Sequence, residues 1–130
     1  MDELKVYVDG SGRTGAYCYL VAGGKPRLFM ERGLTNNQAE YKAIIATLEE
    51  IPERELTVYS DSQLAVKQLN GEYQIRDSKL KSLAERVWRL SRGRVVSFKW
   101  IPREQNQAGK VLEKLSRPPS TQSEAISSPA

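Results

Sequence analysis

The chain contains no histidine and only one cysteine, Cys18, among its 130 residues. Without histidine, a Ser-His or Cys-His nucleophile cannot form, and most zinc sites are excluded as well. A single cysteine also excludes an internal disulfide and a cysteine metal cluster, and its neighbours in the sequence indicate an ordinary strand residue. Any catalysis by this protein must therefore be carried by carboxylates.

Long hydrophobic runs are absent too. The longest apolar run, around residues 16 to 22, is far shorter than a membrane span, which needs about 20 apolar residues. The chain enters a strand-like alternation without a basic or apolar leader, so we expect a cytoplasmic protein with no membrane association. With 39% hydrophobic residues, a chain of this length is sufficient for one domain with a buried core.

The charge of the chain is positive and unevenly placed. The net charge is +4, but between residues 76 and 103 nine Lys or Arg residues stand against two acids. A solvated helix face explains such a run when it is taken alone. Trp88 lies between Arg86 and Arg89, however, and this mixture of aromatic and basic residues favours a surface that binds along a phosphate backbone. The pattern indicates a polyanionic partner.

Hydrophobic periodicity predicts strands and helices in the order βββαβααβα. The predicted strands are Leu4–Val8, Ala16–Val21, Arg27–Glu31, Leu56–Ser60 and Val95–Trp100, with a hairpin turn at Gly23-Gly24. A capping box formed by Thr35 and Gln38 begins the first helix, and further helices are predicted at Ser62–Leu69, Ser78–Leu90 and Ala108–Leu115. This order predicts an α/β fold, with a five-stranded mixed sheet and helices on both faces.

The predicted domain spans residues 1–116. From Arg117 onward the sequence loses periodicity and apolar content, and it continues with Pro-Pro-Ser-Thr-Gln-Ser. Segments of this composition cannot bury enough apolar surface to fold, so residues 117–130 are predicted to be a disordered tail.

Three carboxylates lie in segments that this fold would bring to one edge of the sheet. Asp9 and Asp61 end strands after the similar phrases Val-Tyr-Val and Val-Tyr-Ser, and the carboxyl edge of parallel strands is where α/β sheets bind ligands. Glu40 lies on the inward stripe of its helix, where a charge breaks the hydrophobic pattern and indicates a functional site. Each acid alone is more simply a cap or an exposed side chain. Clustered together they repel one another unless cations neutralise them, which predicts an oxygen-ligand site for a hard divalent ion.

Four motifs make the chain resemble the type 1 ribonucleases H of the compact archaeal and bacterial branch. They are Asp9-Gly-Ser-Gly, Thr35-Asn-Asn-Gln-Ala-Glu-Tyr, Tyr59-Ser-Asp-Ser-Gln-Leu and Trp100-Ile-Pro-Arg-Glu-Gln-Asn. The resemblance covers residues 4 to about 115 and implies the ribonuclease H-like fold. It also implies hydrolysis of the RNA strand of RNA/DNA hybrids with Mg²⁺ or Mn²⁺, either as two ions or as one. Two ions about 3.5 to 4 Å apart activate a water and stabilise the leaving oxygen without a histidine.

The resemblance also implies roles for individual residues. Asp9 would be the bridging metal ligand, and Glu40 and Asp61 would complete one metal site. Asn36, Asn37 and Gln63 would contact the minor groove of the hybrid, because amides both donate and accept hydrogen bonds and so suit recognition of the RNA 2′-hydroxyl. Helix capping is the alternative role for Asn36 and Asn37. The residues expected to contact the substrate are Gly10, Ser11, Thr35, Asn36, Asn37, Gln63 and Arg103.

One position departs from the family pattern Asn-x-x-Ala-Asp, because this chain has Asn106-Gln-Ala-Gly-Lys110. In the family that aspartate helps to hold the ion that activates the water. Lys110 is a catalytic candidate with three alternative interpretations. In the first, Lys110 is only an exposed helix residue and the enzyme is weak or inactive. In the second, its ammonium replaces a cation near the scissile phosphate; in the third, Glu113, one turn later, supplies the missing oxygen ligand.

Two hypotheses of function follow. The first is a metal-dependent endoribonuclease that cuts RNA/DNA hybrids and leaves 5′-phosphate ends, with no obligate protein partner. The alternative is a non-cleaving or weakly active module that binds a hybrid or double-stranded RNA through the same groove. A resolvase- or transposase-like nuclease of the same fold is a wider alternative, against which the Asn-Asn-x-x-Glu phrase at Asn36 favours hybrid recognition.

Overall fold

The structure is a computed structural model that describes residues 3–116. Its strands are β1 (Leu4–Gly10), β2 (Ala16–Val21), β3 (Arg27–Met30), β4 (Glu55–Ser60) and β5 (Val95–Trp100). Its helices are α1 (Asn36–Glu50), α2 (Gln63–Leu69), α3 (Ser78–Leu90) and α4 (Gln107–Ser116), and a short 3₁₀ turn at Arg103–Gln105 precedes α4. The predicted order of elements is confirmed. The disordered tail predicted for residues 117–130 lies outside the described residues.

The sheet is mixed, with the strand order β3-β2-β1-β4-β5. β2 pairs antiparallel with both β1 and β3, whereas β1 and β5 flank β4 in parallel. Val6 lies opposite Val58, and Tyr7 lies opposite Tyr59, with which its ring stacks. The parallel pairing of β1 with β4 brings the carboxyl ends of these strands, and so Asp9 and Asp61, to one edge.

Helices cover both faces of the sheet, as predicted. The main core lies between one face and helices α1, α2 and α3, and its fully buried members include Val6, Tyr41 and Leu56. α4 packs on the other face against β1 and β2, where Ala108 and Leu112 contact the small residues of β2. None of the helices described in residues 3–116 is long and apolar enough to cross a membrane.

Helix α1 begins at the predicted capping box. The Thr35 hydroxyl accepts a hydrogen bond from the Gln38 backbone N–H at 3.1 Å, and the Gln38 side chain accepts one from the Thr35 N–H at 3.0 Å. At the other end, the Arg94 guanidinium donates to the carbonyls of Leu48 and Ile51, at 2.9 and 2.6 Å. These bonds satisfy backbone groups that a helix end leaves without a partner. They fix both ends of the helix that carries Glu40.

Candidate active site

A pocket of about 430 Å³ opens at the carboxyl edge of β1 and β4. Asp9, Glu40 and Asp61 all line it, although they come from β1, α1 and the segment after β4. The structure therefore brings the three predicted acids to one place.

Asp9 is the next-to-last residue of β1 and is 5% exposed. The pKa of its carboxyl is raised to about 6, mainly by burial and next by the nearby charge of Asp61, while the Arg103 guanidinium opposes the shift. The ionised form of Asp9 is thus disfavoured in the pocket by two causes that a bound cation would counteract.

Glu40 is held by two hydrogen bonds at the first turns of α1. The Gly10 N–H donates to its Oε2 at 3.1 Å, and the Ser60 hydroxyl donates to its Oε1 at 2.5 Å. Burial is the main cause that raises the pKa of Glu40 well above its ordinary value, and the charge of Asp9 is the second. The side chain is therefore oriented before any ligand arrives, at an electrostatic cost.

Gly10 allows this arrangement because β1 runs very close to α1 at that point. A Cβ atom on Gly10 would lie 2.3 Å from the backbone carbon of Ala39, which is far inside contact distance. Only glycine lets the strand approach the helix so closely, and the approach brings the Gly10 N–H to Glu40. The backbone at this predicted site residue therefore has a clear structural role.

Asp61 is oriented by Asn106, which is fully buried. The Asn106 amide donates to Asp61 Oδ2 at 2.8 Å and to the Val8 carbonyl at 2.9 Å, while its Oδ1 accepts from the Ala108 N–H at 3.1 Å. One side chain thereby links β1, the end of β4 and the start of α4. Arg103 approaches the same Asp61 oxygen at 3.9 Å.

The start of α4 lies next to the carboxylates of Asp9 and Asp61. A Cβ atom on Gly109 would lie 3.5 Å from Asp9 Oδ2 and 3.6 Å from Asp61 Oδ2, so both carboxylates flank this residue. Within residues 3–116, however, no group of three or more His, Cys, Asp or Glu side chains is arranged as it would be around a metal ion. The acids share the pocket without forming a finished metal cage.

Most of the residues predicted to bind substrate line the same pocket: Gly10, Ser11, Asn36, Asn37 and Arg103. Asn36 Oδ1 accepts a hydrogen bond from the Gly12 N–H at 2.6 Å, which leaves the amide NH₂ group as the donor offered by this side chain. Thr35 and Gln63 are not among the residues that line the pocket. The hydroxyl of Thr35 caps α1, and Gln63 is exposed at the start of α2.

Lys110, the fourth catalytic candidate, does not line the pocket either. Its side chain is exposed on α4. Leu112 and Glu113 do line the pocket.

The sequence assigns no role to two residues that orient the acids. Asn106 belongs to one of the four motifs and Ser60 precedes Asp61, but neither is predicted to be a site residue. Ser60 continues the stripe of Leu56 and Val58 that faces the main core, so a hydroxyl at the end of an apolar stripe was the available signal. Nothing in the local pattern indicates that its partner is Glu40, which lies 20 residues earlier.

Most of the cationic stretch lies on α3 and the turn after it. Arg86, Arg89 and Arg92 are exposed, and Trp88 is 41% exposed, with its indole N–H donating to the Leu69 carbonyl at 3.1 Å. Arg94 is used to hold the end of α1, and Arg86 pairs with Glu49 of α1. Binding of a phosphate backbone by this surface stays a prediction.

The sequence of this chain is similar to those of several known proteins. The sequence profile described as "Reverse transcriptase-like" matches residues 18–115. Ribonuclease HI of Halobacterium salinarum is 32% identical over 123 residues, which are 85% of this chain and 62% of that protein. The bifunctional protein Rv2228c of Mycobacterium tuberculosis is 34% identical over 76 residues. The chain spans only 21% of the length of that mycobacterial relative.

Solved structures agree with these sequence matches. The RNase H1 of Halobacterium salinarum NRC-1 superposes with a TM-score of 0.77 at 29% identity, covering 85% of this chain and 94% of that one. LC11-RNase H1, solved in complex with an RNA/DNA hybrid, superposes with a TM-score of 0.75 at 26% identity, covering 85% and 93%. The fold of the described residues is thus the ribonuclease H-like α/β fold, with an acid-lined pocket at the carboxyl edge of its parallel strands.

The chain belongs to the reverse transcriptase-like family, whose profile matches about three quarters of it. The resemblance to type 1 ribonucleases H, first indicated by four short motifs, is confirmed by the halobacterial and mycobacterial relatives.

Proposed function

We propose that this protein is a divalent-cation-dependent endonuclease that hydrolyses the RNA strand of RNA/DNA hybrids. The observation that carries the proposal is the convergence of Asp9, Glu40 and Asp61 in one pocket of a ribonuclease H-like fold. It is supported by the similarity to the halobacterial ribonuclease HI and by the hybrid bound in the LC11-RNase H1 complex.

The donor set of the pocket fits Mg²⁺ or Mn²⁺. All three side chains are carboxylates, the hard oxygen ligands that these ions prefer, and Cys18 is the single thiol of the chain. Burial raises the pKa of Asp9 and Glu40, so a cation would stabilise their charged forms. When bound in such a site, divalent ions activate a water molecule and neutralise charge that develops on the phosphate. The stoichiometry of Mn²⁺ binding, measured by titration calorimetry, distinguishes one bound ion from two.

The residues around the acids do the positioning. Ser60 and Gly10 fix the two oxygens of Glu40, and Asn106 fixes one oxygen of Asp61. Rigid supports of this kind hold ligands near the geometry that the chemistry needs.

Substrate recognition is assigned to groups on the rim of the pocket. Asn36 and Asn37 line the pocket, and their amides suit contact with RNA 2′-hydroxyls in the minor groove of a hybrid. Arg103 places a guanidinium 3.9 Å from Asp61, where it balances part of the negative charge and offers donors to a phosphate. The exposed cations of α3 extend this attraction along the substrate.

The test is cleavage of an end-labelled RNA/DNA hybrid with Mg²⁺, with Mn²⁺ and with EDTA. We expect cuts within the RNA strand that leave 5′-phosphates, only with a metal present, and no cuts after Asp9→Asn. Single-stranded RNA and duplex DNA of the same sequence serve as substrate controls. A wild-type protein that binds the hybrid but leaves it whole in both metals would refute the nuclease and favour the non-cleaving module.

A further inference from the structure

Helix α4 turns one side toward the carboxylates of the pocket, and this side carries an acid. Gly109 meets Asp9 and Asp61, since a Cβ at Gly109 would lie within 3.6 Å of an oxygen of each. Residues four apart lie on the same side of an α-helix, one turn above the other. Glu113 is four residues after Gly109, and it lines the pocket as this spacing requires.

Lys110 does not supply a carboxylate to the site, because its side chain carries an ammonium group, which cannot bind a cation as an oxygen ligand does. Its side chain is exposed and does not line the pocket. Its positive charge would in any case oppose the binding of a divalent cation.

The charges around the pocket favour a cation. Four carboxylates line it, those of Asp9, Glu40, Asp61 and Glu113, while Arg13 and Arg103 contribute two guanidinium groups. Like charges brought together at this density are stabilised by counter-ions, and oxygen ligands bind Mg²⁺ and Mn²⁺. A glutamate side chain is also one methylene longer than an aspartate, which extends its reach from the next turn of the helix.

From this geometry we propose that Glu113 is a fourth acidic member of the cation site, supplying from the second turn of α4 the carboxylate that position 110 lacks. The inference rests on the proposed function, since it concerns the same divalent ions. Lys110 is then an exposed helix residue without a part in the chemistry.

The test is Mn²⁺ binding to the purified chain in the absence of nucleic acid, measured by titration calorimetry. We expect Glu113→Gln to weaken Mn²⁺ binding by about tenfold or more, in the range found when residues that support a metal site are removed. Glu104→Gln, which removes the same charge from the exposed 3₁₀ turn, should change the affinity less than threefold. Lys110→Ala should also leave the affinity within threefold.

The melting temperature in EDTA shows that the variant is folded. Glutamine keeps the length of the glutamate side chain at this exposed position, so Glu113→Gln should fold and melt cooperatively in the absence of metal. Cleavage by Glu113→Gln should then require a higher Mn²⁺ concentration for half-maximal rate.

Asp9→Asn separates the failure of this inference from the failure of the proposed function. If Asp9→Asn abolishes Mn²⁺ binding while Glu113→Gln binds as tightly as the wild type, Glu113 has no part in the site and the proposed nuclease stands. A Lys110→Ala variant that loses more affinity than Glu113→Gln also overturns the inference. A wild-type protein that binds no Mn²⁺ and cuts no hybrid overturns both proposals.

Discussion

Asn106 donates its side-chain amide to the carboxylate of Asp61 at 2.8 Å, across 45 residues of sequence. The same amide nitrogen donates to the Val8 carbonyl at 2.9 Å, so a single buried side chain joins the two central parallel strands at the edge where the acids lie. Its oxygen accepts the Ala108 N–H and so fixes the start of α4. The position of Asp61 therefore depends on the turn before α4.

Replacing Asn106 with alanine should lower both stability and activity. The change leaves the Val8 carbonyl and the Asp61 oxygen without this donor inside the protein, which costs about 2 to 4 kcal/mol of unfolding free energy. Hybrid cleavage should fall by about tenfold to a hundredfold, because Asp61 loses its orientation. Urea denaturation and cleavage rates check these values.

Asn70→Ala is the matched control for this change. Asn70 is exposed and its amide donates to the Phe98 carbonyl at 3.0 Å, so its loss should cost about 1 kcal/mol or less. An Asn106→Ala variant as stable and active as Asn70→Ala would show that the link between the strands does not matter.

Replacing Gly10 with alanine should destabilise the protein by more than about 3 kcal/mol. The added methyl group would lie 2.3 Å from the backbone carbon of Ala39, and a helix backbone cannot move aside as a flexible side chain can. At Gly24, a Cβ comes no nearer than 3.2 Å to any atom, so Gly24→Ala should cost much less. Similar melting temperatures for the two variants would contradict the close approach of β1 to α1.

Asp9→Asn should stabilise the metal-free protein while it abolishes cleavage. The substitution removes a buried charge that lies close to Glu40 and Asp61, and we expect a gain of about 1 kcal/mol or more in EDTA. Saturating Mg²⁺ should reverse the order of the melting temperatures, because ion binding stabilises only the wild type. A variant that melts below the wild type in EDTA would argue against repulsion among the acids.

The contribution of Glu50 to stability should depend on pH. Its Oε1 accepts hydrogen bonds from Arg27 at 3.0 Å and from the Tyr19 hydroxyl at 2.6 Å, and these bonds, Arg27's first, lower the pKa of Glu50 below its ordinary value of 4.5. A carboxyl whose pKa is lower in the folded state stabilises the fold above its unfolded-state pKa, and this contribution is lost as the pH falls through the folded-state pKa.

Urea denaturation of wild type and Glu50→Gln checks the sign. The wild type should be the more stable protein at neutral pH, and the difference should shrink as the pH falls below 4.5. Glu55→Gln, at an exposed position of β4, serves as the control for loss of one charge. A difference that grows on acidification would refute the assignment.

Much of the fold was predictable because its signals are local. The Thr35–Gln38 capping box starts α1 where expected, and period-two and helical patterns placed every strand and helix of residues 3–116 within about two residues of its observed ends. The short 3₁₀ turn at Arg103–Gln105 was missed, because a single turn of helix has no periodicity to detect.

The candidate site was predictable only in part. Similar phrases before Asp9 and Asp61 indicated two parallel strands ending together, and the charge of Glu40 broke an apolar stripe, so the acids were found from the sequence. The positions of Thr35, Gln63 and Lys110 relative to the pocket were not predictable. Each of them depends on the direction of one side chain in or next to a helix, and a sequence motif does not specify that direction.

The sequence by itself determined the order of the elements, the edge of the sheet where three acids meet and the lysine at position 110, because patterning and residue identity act locally along the chain. Tertiary structure alone decided that Ser60 holds Glu40, that Asn106 holds Asp61 and that Glu113 rather than Lys110 lines the pocket. Those relationships join segments far apart in sequence, and they arise only when the packing of α1 and α4 on opposite faces of the sheet sets where each side chain points.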